Sequence, residues 1–156
     1  MTLDPTARRA NYKDSLKKFF VDELETGKGV ELMFDKSLST PDLINKTVNR
    51  WVNVDLGDID RSYMSSINID IYCCTRADAE GFRLAQLTDT VMELLTDTTT
   101  TDGMKRIPFY RSHPTDPWTA LGAFVVSEII ESREMESVDA TKYIIMSCLL
   151  RTASKI

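Results

Sequence analysis

Residues 66–95, SINIDIYCCTRADAEGFRLAQLTDTVMELL, constrain the fold most, because an alternating apolar segment passes almost directly into a helical pattern. Successive side chains of a β-strand point to opposite faces of the sheet. One predicted face carries Ile67, Ile69, Ile71 and Cys73, and the other carries Asn68, Asp70, Tyr72 and Cys74. A strand with one apolar and one polar face is typical of an antiparallel or mixed sheet that is covered on one side.

The helical pattern that follows has one apolar stripe, which indicates that one face of the helix is buried. Thr75 is a suitable N-cap, and Asp78 would then lie at the third helical position, where the helix dipole favours a carboxylate. Gly81 would lie inside this helix and cost about 1 kcal/mol of helix propensity, which close helix-to-sheet packing would explain. The stripe consists of Ala77, Gly81, Leu84, Leu87, Val91 and Leu94.

The rest of the chain supplies a second helix and several further strands. Asp4-Pro5 predicts a helix start and Gly27-Lys28-Gly29 its end. Strands are predicted at 30–34, 48–56, 120–132 and 140–153, and the last two are expected to form a hairpin that closes the sheet. A short edge strand is predicted at 104–110, because Pro108 cannot donate to a central ladder. Loops are expected at 35–47 and 96–103, and a turn at 57–62.

These elements predict one α+β domain spanning residues 1–156. The expected order is α-β-β-β-α-β-β-β, a mostly antiparallel, mixed sheet of about five to six strands packed by two main helices. A chain of 156 residues with 42% hydrophobic and 28% charged residues is long enough for one sizeable core. Trp51 is expected in the core.

Charge and cysteine content narrow the class of function. The net charge of −5 argues against a protein that neutralises nucleic-acid phosphates. No apolar run reaches the roughly 18 residues of a membrane span, and residues 1–20 lack the apolar region of a secretory signal. The cysteines, Cys73, Cys74 and Cys148, have no metal-like spacing, so a reducing compartment is expected.

The sequence lacks the common catalytic signatures. It contains no phosphate-binding glycine motif after a strand and no nucleophile-elbow pattern. The single histidine, His113, stands in a proline-flanked loop and is interpreted as an exposed side chain. A carboxylate pair among Asp55, Asp58 and Asp60 remains possible, although solvated turn residues explain them more simply. We therefore expect no enzyme activity, no catalytic residues, no cofactor and no metal, and a structural corner at Cys73-Cys74-Thr75-Arg76.

Taken over nearly its full length, the chain resembles the tail terminator (tail completion) proteins of tailed bacteriophages. The resemblance rests on the order of elements and on the apolar positions of residues 67–95, with RWVNVDL before them and IPFY after them. It implies a non-enzymatic virion protein of the tail or neck, present in the host cytoplasm during assembly. Such a protein forms a hexameric ring on the end of the tail tube and stops its elongation.

The resemblance also implies partners: further copies of the chain, the tail tube protein and the head–tail connector or stopper. DNA would pass through an acidic channel without specific binding. Candidate contact surfaces are the edge strands and the loops at 35–47 and 96–103. Phe109, Tyr110 and Trp118 are candidate aromatic anchors, or alternatively fill the end of the core. The candidate charged contact residues are Lys36, Lys46, Asp97 and Asp102.

Three alternatives remain open at this point. Another phage neck or head-completion protein would share the ring-forming task. A small-molecule-binding or catalytic α+β domain would need a concave pocket with convergent polar groups. A bacterial domain of the same descent could serve a contractile injection system or a tail-derived particle.

Overall fold

The computed structural model describes residues 8–35, 49–111, 119–137 and 140–153. Helix α1 spans Arg9–Phe20 and continues into a π-helical segment, Val21–Thr26. Helix α2 spans Phe82–Leu95. The strands are β1 Glu31–Phe34, β2 Arg50–Asp60, β3 Met64–Thr75, β4 Arg106–Arg111, β5 Thr119–Glu131, β6 Met135–Glu136 and β7 Lys142–Ala153.

All seven strands belong to one sheet, in the order β1-β2-β3-β7-β5-β4, with β6 pairing beside β5 on β7. The β1–β2 pair is parallel and every other pair is antiparallel. The predicted α+β class and mixed sheet are therefore confirmed, and the predicted elements occur in the predicted order, with the two-residue β6 added between the last two. β4 lies at an edge of the sheet, as the proline at position 108 predicted.

Both helices pack on one face of the sheet, where the main core lies. The predicted apolar face of β3 is completely buried there, together with one stripe from each helix. Three rings join α1 to the far strands: the Tyr12 and Phe109 centroids are 5.2 Å apart, and those of Phe109 and Phe124 are 5.0 Å apart. The β3 and α2 residues of this core include Ile67, Ile69, Ile71, Cys73, Leu84, Leu87 and Val91.

The opposite sheet face carries a small second cluster and then a polar surface. Met33, Trp51 and Cys74 form this cluster, with Tyr72 and Tyr143 packed against it. Trp51 is fully buried, as expected, but it lies on the opposite side of the sheet from the main core. Further along β3 the side chain of Asn68 is exposed. Neither described helix packs on this face, which we call the open face.

Helix α1 stabilises both edges of the curled sheet. Ser15 bonds to the backbone of edge strand β4 at Tyr110, and Lys13 forms a 2.7 Å ion pair with Asp35 at the end of β1. Exposed backbone groups on an edge strand invite unwanted pairing. Ser15 and Pro108, which has no N–H, together leave β4 few free donors along its outer edge.

Two predicted boundaries are wrong. Helix α2 begins at Phe82 and not directly after Thr75, because Gly81 has a left-handed φ of +73° and Ala77 one of +54°. Residues 57–60 belong to β2 and not to a turn, since a bulge between Leu56 and Ile59 lets the strand continue. The predicted α1 start at Asp4-Pro5, most of the 35–47 loop and His113 lie outside the described residues.

Candidate functional site

The strand-to-helix junction at residues 75–81 is the first place to look for chemistry. The Asp78 carboxylate accepts hydrogen bonds from the N–H groups of Leu84 (2.8 Å) and Arg83 (3.3 Å) and from the Thr75 hydroxyl (3.1 Å). Burial alone would raise the pKa of Asp78, but these hydrogen bonds outweigh it and lower the pKa. Asp78 therefore caps α2, although it lies four residues before Phe82, the first residue of the helix.

The other polar groups of the junction also make structural contacts. The Arg76 guanidinium lies 5.1 Å from the Trp51 ring centroid, a cation–π contact. The carbonyl of Arg76 accepts a hydrogen bond from Arg83 Nη1 (2.8 Å), and the carbonyl of Ala79 accepts one from Lys142 Nζ (2.9 Å). Lys142 also pairs with Glu134 at 3.3 Å. These contacts fix the shape of the corner.

The cysteines are buried and free. Burial raises the pKa of Cys148 to about 12, and burial followed by the neighbouring Cys74 raises that of Cys73 further. A thiol with a raised pKa carries almost no thiolate at neutral pH, and the thiolate is the reactive form. The placement of Cys73 in the core and Cys74 on the other face confirms the prediction for this pair.

The 96–103 segment, which holds two candidate contact residues, is a compact turn. A bridge between Thr96 and Met104 closes it. Asp97 accepts hydrogen bonds from the Thr99 hydroxyl (2.6 Å) and N–H (3.0 Å), and Asp102 accepts one from the Met104 N–H (3.1 Å). The hydrogen bonds from Thr99 lower the pKa of Asp97, and those from Met104 and Thr100 lower that of Asp102. Both carboxylates therefore organise the turn, at the surface.

The structure separates the aromatic candidates. Phe109 is buried among the core rings, so for this residue the core-filling alternative is the one observed, and it offers no free surface. Tyr110 is half-buried, and its N–H donates to Ser15 Oγ (2.8 Å). Trp118, Lys36 and Lys46 lie outside the described residues. The candidate residues thus form no single cluster.

Two exposed apolar sites at opposite ends of the domain were not predicted. Tyr63 (81% exposed) and Met64 (50%) form the tip of the β2–β3 hairpin. Phe82 (69%) begins α2, just after the other end of β3. β3, which runs from Met64 toward the junction before Phe82, has 12 residues and is therefore roughly 36–40 Å long. Tyr63-Met64 lies between the predicted turn at 57–62 and the predicted strand that follows, and neighbouring bulky apolar residues in such a connection are a signal for contact with a partner.

A surface groove of about 620 Å³ adjoins the hairpin tip. Its apolar walls include Met64, Met104 and Val125, and Asp102 and Arg151 supply opposite charges at its margin. The groove therefore extends the apolar surface at the Tyr63-Met64 end. Asp102 of the 96–103 turn lines the same groove and therefore lies next to the Tyr63-Met64 end of the domain.

The open face carries paired carboxylates. Asp55 and Asp70 are direct cross-strand neighbours, a placement that destabilises a sheet when both are charged. Burial, followed by the charges of Asp35 and Asp70, raises the pKa of Asp55. Asp70 accepts a 2.9 Å hydrogen bond from the Ser147 hydroxyl. Asp55 thus lies in the strand predicted for it, while Asp58 and Asp60, expected in a turn, lie exposed on the same strand.

Within the described residues, no group of three or more His, Cys, Asp or Glu side chains could hold a metal ion. In the same part of the chain, no helix combines the length and apolar character needed to cross a membrane. Asp78 in the junction and Asp97 and Asp102 in the 96–103 turn make structural contacts, and the large exposed features are apolar or charged surfaces. The arrangement is that of an α+β domain whose most prominent surface features are suited to contacts with other molecules.

Comparison with known proteins supports the fold alone. No protein-family model matches the sequence, and no curated protein matches it. Eleven chains of solved structures are similar to it. One of these, whose name describes no activity, aligns with a TM-score of 0.52 at 11% sequence identity, covering 92% of this chain and 95% of the other. The likeness therefore extends over nearly the whole of both chains and concerns their architecture.

Proposed function

We propose that the chain is a structural virion protein that forms a ring, most simply a hexamer, on the end of a bacteriophage tail tube. The ring stops elongation of the tube and provides the docking surface for the head–tail connector. Its central channel lets DNA pass without specific binding. The protein acts in the tail or neck of the virion and occurs in the host cytoplasm during assembly.

The observation that carries this proposal is the pair of exposed apolar sites at the two ends of one domain. A terminator has two different partners, the tube and the connector, on opposite faces of its ring. Tyr63-Met64 with the adjoining groove forms one contact site, and Phe82 forms the other. Contiguous exposed apolar surface, such as Tyr63-Met64 with its groove, marks contact sites, and aromatic side chains such as those of Tyr63 and Phe82 are frequent anchors in them. The element order, on which the resemblance to tail terminators rests, supports the same role.

The test is a double dissociation between the two ends. Y63S/M64S alters the hairpin tip and F82S alters the start of α2, and both sites are exposed enough for the fold to tolerate the change. Each variant is mixed with tail tube protein and with connector protein encoded by the same genome. Tube lengths are measured by electron microscopy, and connector binding by co-sedimentation.

We expect each variant to lose one partner and keep the other. Tubes that grow to uncontrolled length with the wild-type protein present would contradict the terminator role. A protein that leaves tubes unaffected but binds the connector would favour a different neck or head-completion protein. D89S, which alters an exposed side chain of α2 away from both end sites and from the open face, is the control for substitution at an exposed position.

The groove supports a second candidate function, binding of a small molecule. Its volume of about 620 Å³ lies within the usual range for ligand sites, and Asp102 and Arg151 could orient a polar group. A thermal-shift screen tests this candidate, since a ligand that binds only the folded state raises the melting temperature. Stabilisation by a metabolite that D102A/R151A abolishes would favour the ligand-binding role.

A further inference from the structure

Helix α1 carries an exposed basic stripe on the side that faces away from the core. Arg9, Lys13 and Lys17 recur every fourth residue, so they share one face of the helix. All three are exposed, whereas the core-facing side buries Tyr12 and Leu16. The stripe is a local concentration of positive charge on a chain whose net charge is −5.

The middle of the open face has the opposite sign, and Arg151 lies exposed on the same face toward the end of β7. Asp55 and Asp70 stand side by side on β2 and β3, and Glu128 lies exposed on β5, two strands beyond β3. Between them lie partly buried apolar side chains of β7, Ile145 and Leu149. Ile130 of β5 is 59% exposed on the same face. An apolar centre with an acidic margin fits a partner that presents basic side chains.

The direct pairing of Asp55 with Asp70 makes a basic partner the better fit. Like charges opposite one another weaken the sheet in the free chain. The hydrogen bond from the Ser147 hydroxyl offsets part of this repulsion at Asp70. The basic side chain of Lys13 pairs with Asp35, at the edge of the sheet. A cationic side chain placed over the pair from outside would relieve the repulsion.

We propose that copies of this chain associate head to tail, with the α1 basic stripe of one copy on the acidic open face of the next. The two surfaces belong to different elements of the same chain and carry opposite charges, so the contact is heterologous. Contacts of this type close into rings when the rotation between neighbours allows it. The contact is the lateral contact of the ring and rests on the proposed function for its closure at six copies.

Complementary charge reversal tests the contact. Variant one, R9E/K17E, makes the stripe acidic, and variant two, D70K/E128K, makes the open face basic. Either variant alone then brings like charges together, and we expect its self-association to weaken by at least roughly tenfold. In a one-to-one mixture the acidic stripe of variant one meets the basic face of variant two, and the basic stripe of variant two meets the acidic face of variant one. Native mass spectrometry is expected to show assembly restored, with the two variants alternating.

The control variant K28E/R133E changes the net charge as much as R9E/K17E, at exposed positions outside the stripe, and we expect it to assemble like the wild type. Circular dichroism establishes that each variant is folded.

Assembly of R9E/K17E alone at wild-type strength would overturn the contact, and so would a mixture of folded variants that stays monomeric. A wild-type chain that is monomeric yet halts tube growth would overturn this contact and leave the proposed function. A chain that assembles through it and lets tubes grow would overturn the function and leave the contact.

Discussion

Replacing Asp78 by alanine tests the structural interpretation of the strand-to-helix junction. The carboxylate accepts hydrogen bonds from two N–H groups of the first turn of α2 and from the hydroxyl of Thr75. Thr75 is fully buried. Loss of a side-chain cap costs about 0.5–2 kcal/mol, and the stranded Thr75 hydroxyl adds to that cost. We expect D78A to lower the free energy of unfolding by about 2 kcal/mol. For a chain of this length that corresponds to a fall in melting temperature of roughly 4–8 °C.

Urea unfolding followed by circular dichroism measures this change. The matched control is D89A, which removes an exposed carboxylate from the same helix and is expected to change stability by less than about 0.5 kcal/mol. Because the pKa of Asp78 is lowered in the folded state, its stabilising contribution is present at neutral pH and lost as pH falls through that lowered pKa. The gap between wild type and D78A should therefore narrow in strong acid. Equal stabilities of D78A and D89A at pH 7 would refute the capping role.

Three further predictions follow from contacts in the fold. S15A leaves the backbone of Tyr110 without its partner and should cost about 1–3 kcal/mol in chemical unfolding, whereas S127A, at an exposed serine, should cost little. G81A should destabilise more than G103A, because both glycines have a φ of +73° but only a Cβ at Gly81 meets the Glu134 carboxylate; equal losses would show that this contact is unimportant. Because the raised folded-state pKa of Asp55 favours its protonated form, the wild-type protein loses stability as pH rises from below the ordinary value of 3.8 through the raised pKa. D55N should therefore be more stable than wild type at pH 7, and this gain in stability should disappear below about pH 4. A gain that persists in acid would show that it does not come from the charge of Asp55.

The sequence predicts the parts of the fold that hydrophobic periodicity determines. The alternation from Ile67 to Cys74 in β3 is strict, and the apolar positions of its predicted core face are all buried. Pro108 correctly indicated an edge strand, because a missing donor is a local property of the residue. The order of elements is confirmed for the same reason, since each strand and helix carries its own pattern.

Features that depend on distant residues were not predictable in this way. Asp78 at the third position after Thr75 resembled a capping pattern, but the chain inserts a turn with two left-handed residues before α2 begins. That turn is stabilised by Lys142 and packed against Glu134, residues far along the chain. The bulge that extends β2 is likewise set by its pairing with β3. Tertiary contacts therefore determine both the start of α2 and the end of β2, which the local sequence pattern did not predict.

The candidate contact residues illustrate the same limit. Asp97 and Asp102 were correctly placed in a surface turn, because their neighbours are polar. An aromatic residue in an edge strand can face the core or a partner, and the sequence pattern does not distinguish these; the structure places Phe109 in the core. Tyr63, Met64 and Phe82 were missed because exposure depends on what the rest of the chain leaves uncovered.

Native mass spectrometry of the purified chain over a range of concentrations tests the ring most directly. The account predicts one discrete assembly of six copies of the 17.7 kDa chain, about 106 kDa, which forms at low salt and weakens as salt screens the lateral contact. A chain that remains monomeric at every concentration would contradict the account. So would an open series of sizes without a preferred closed species.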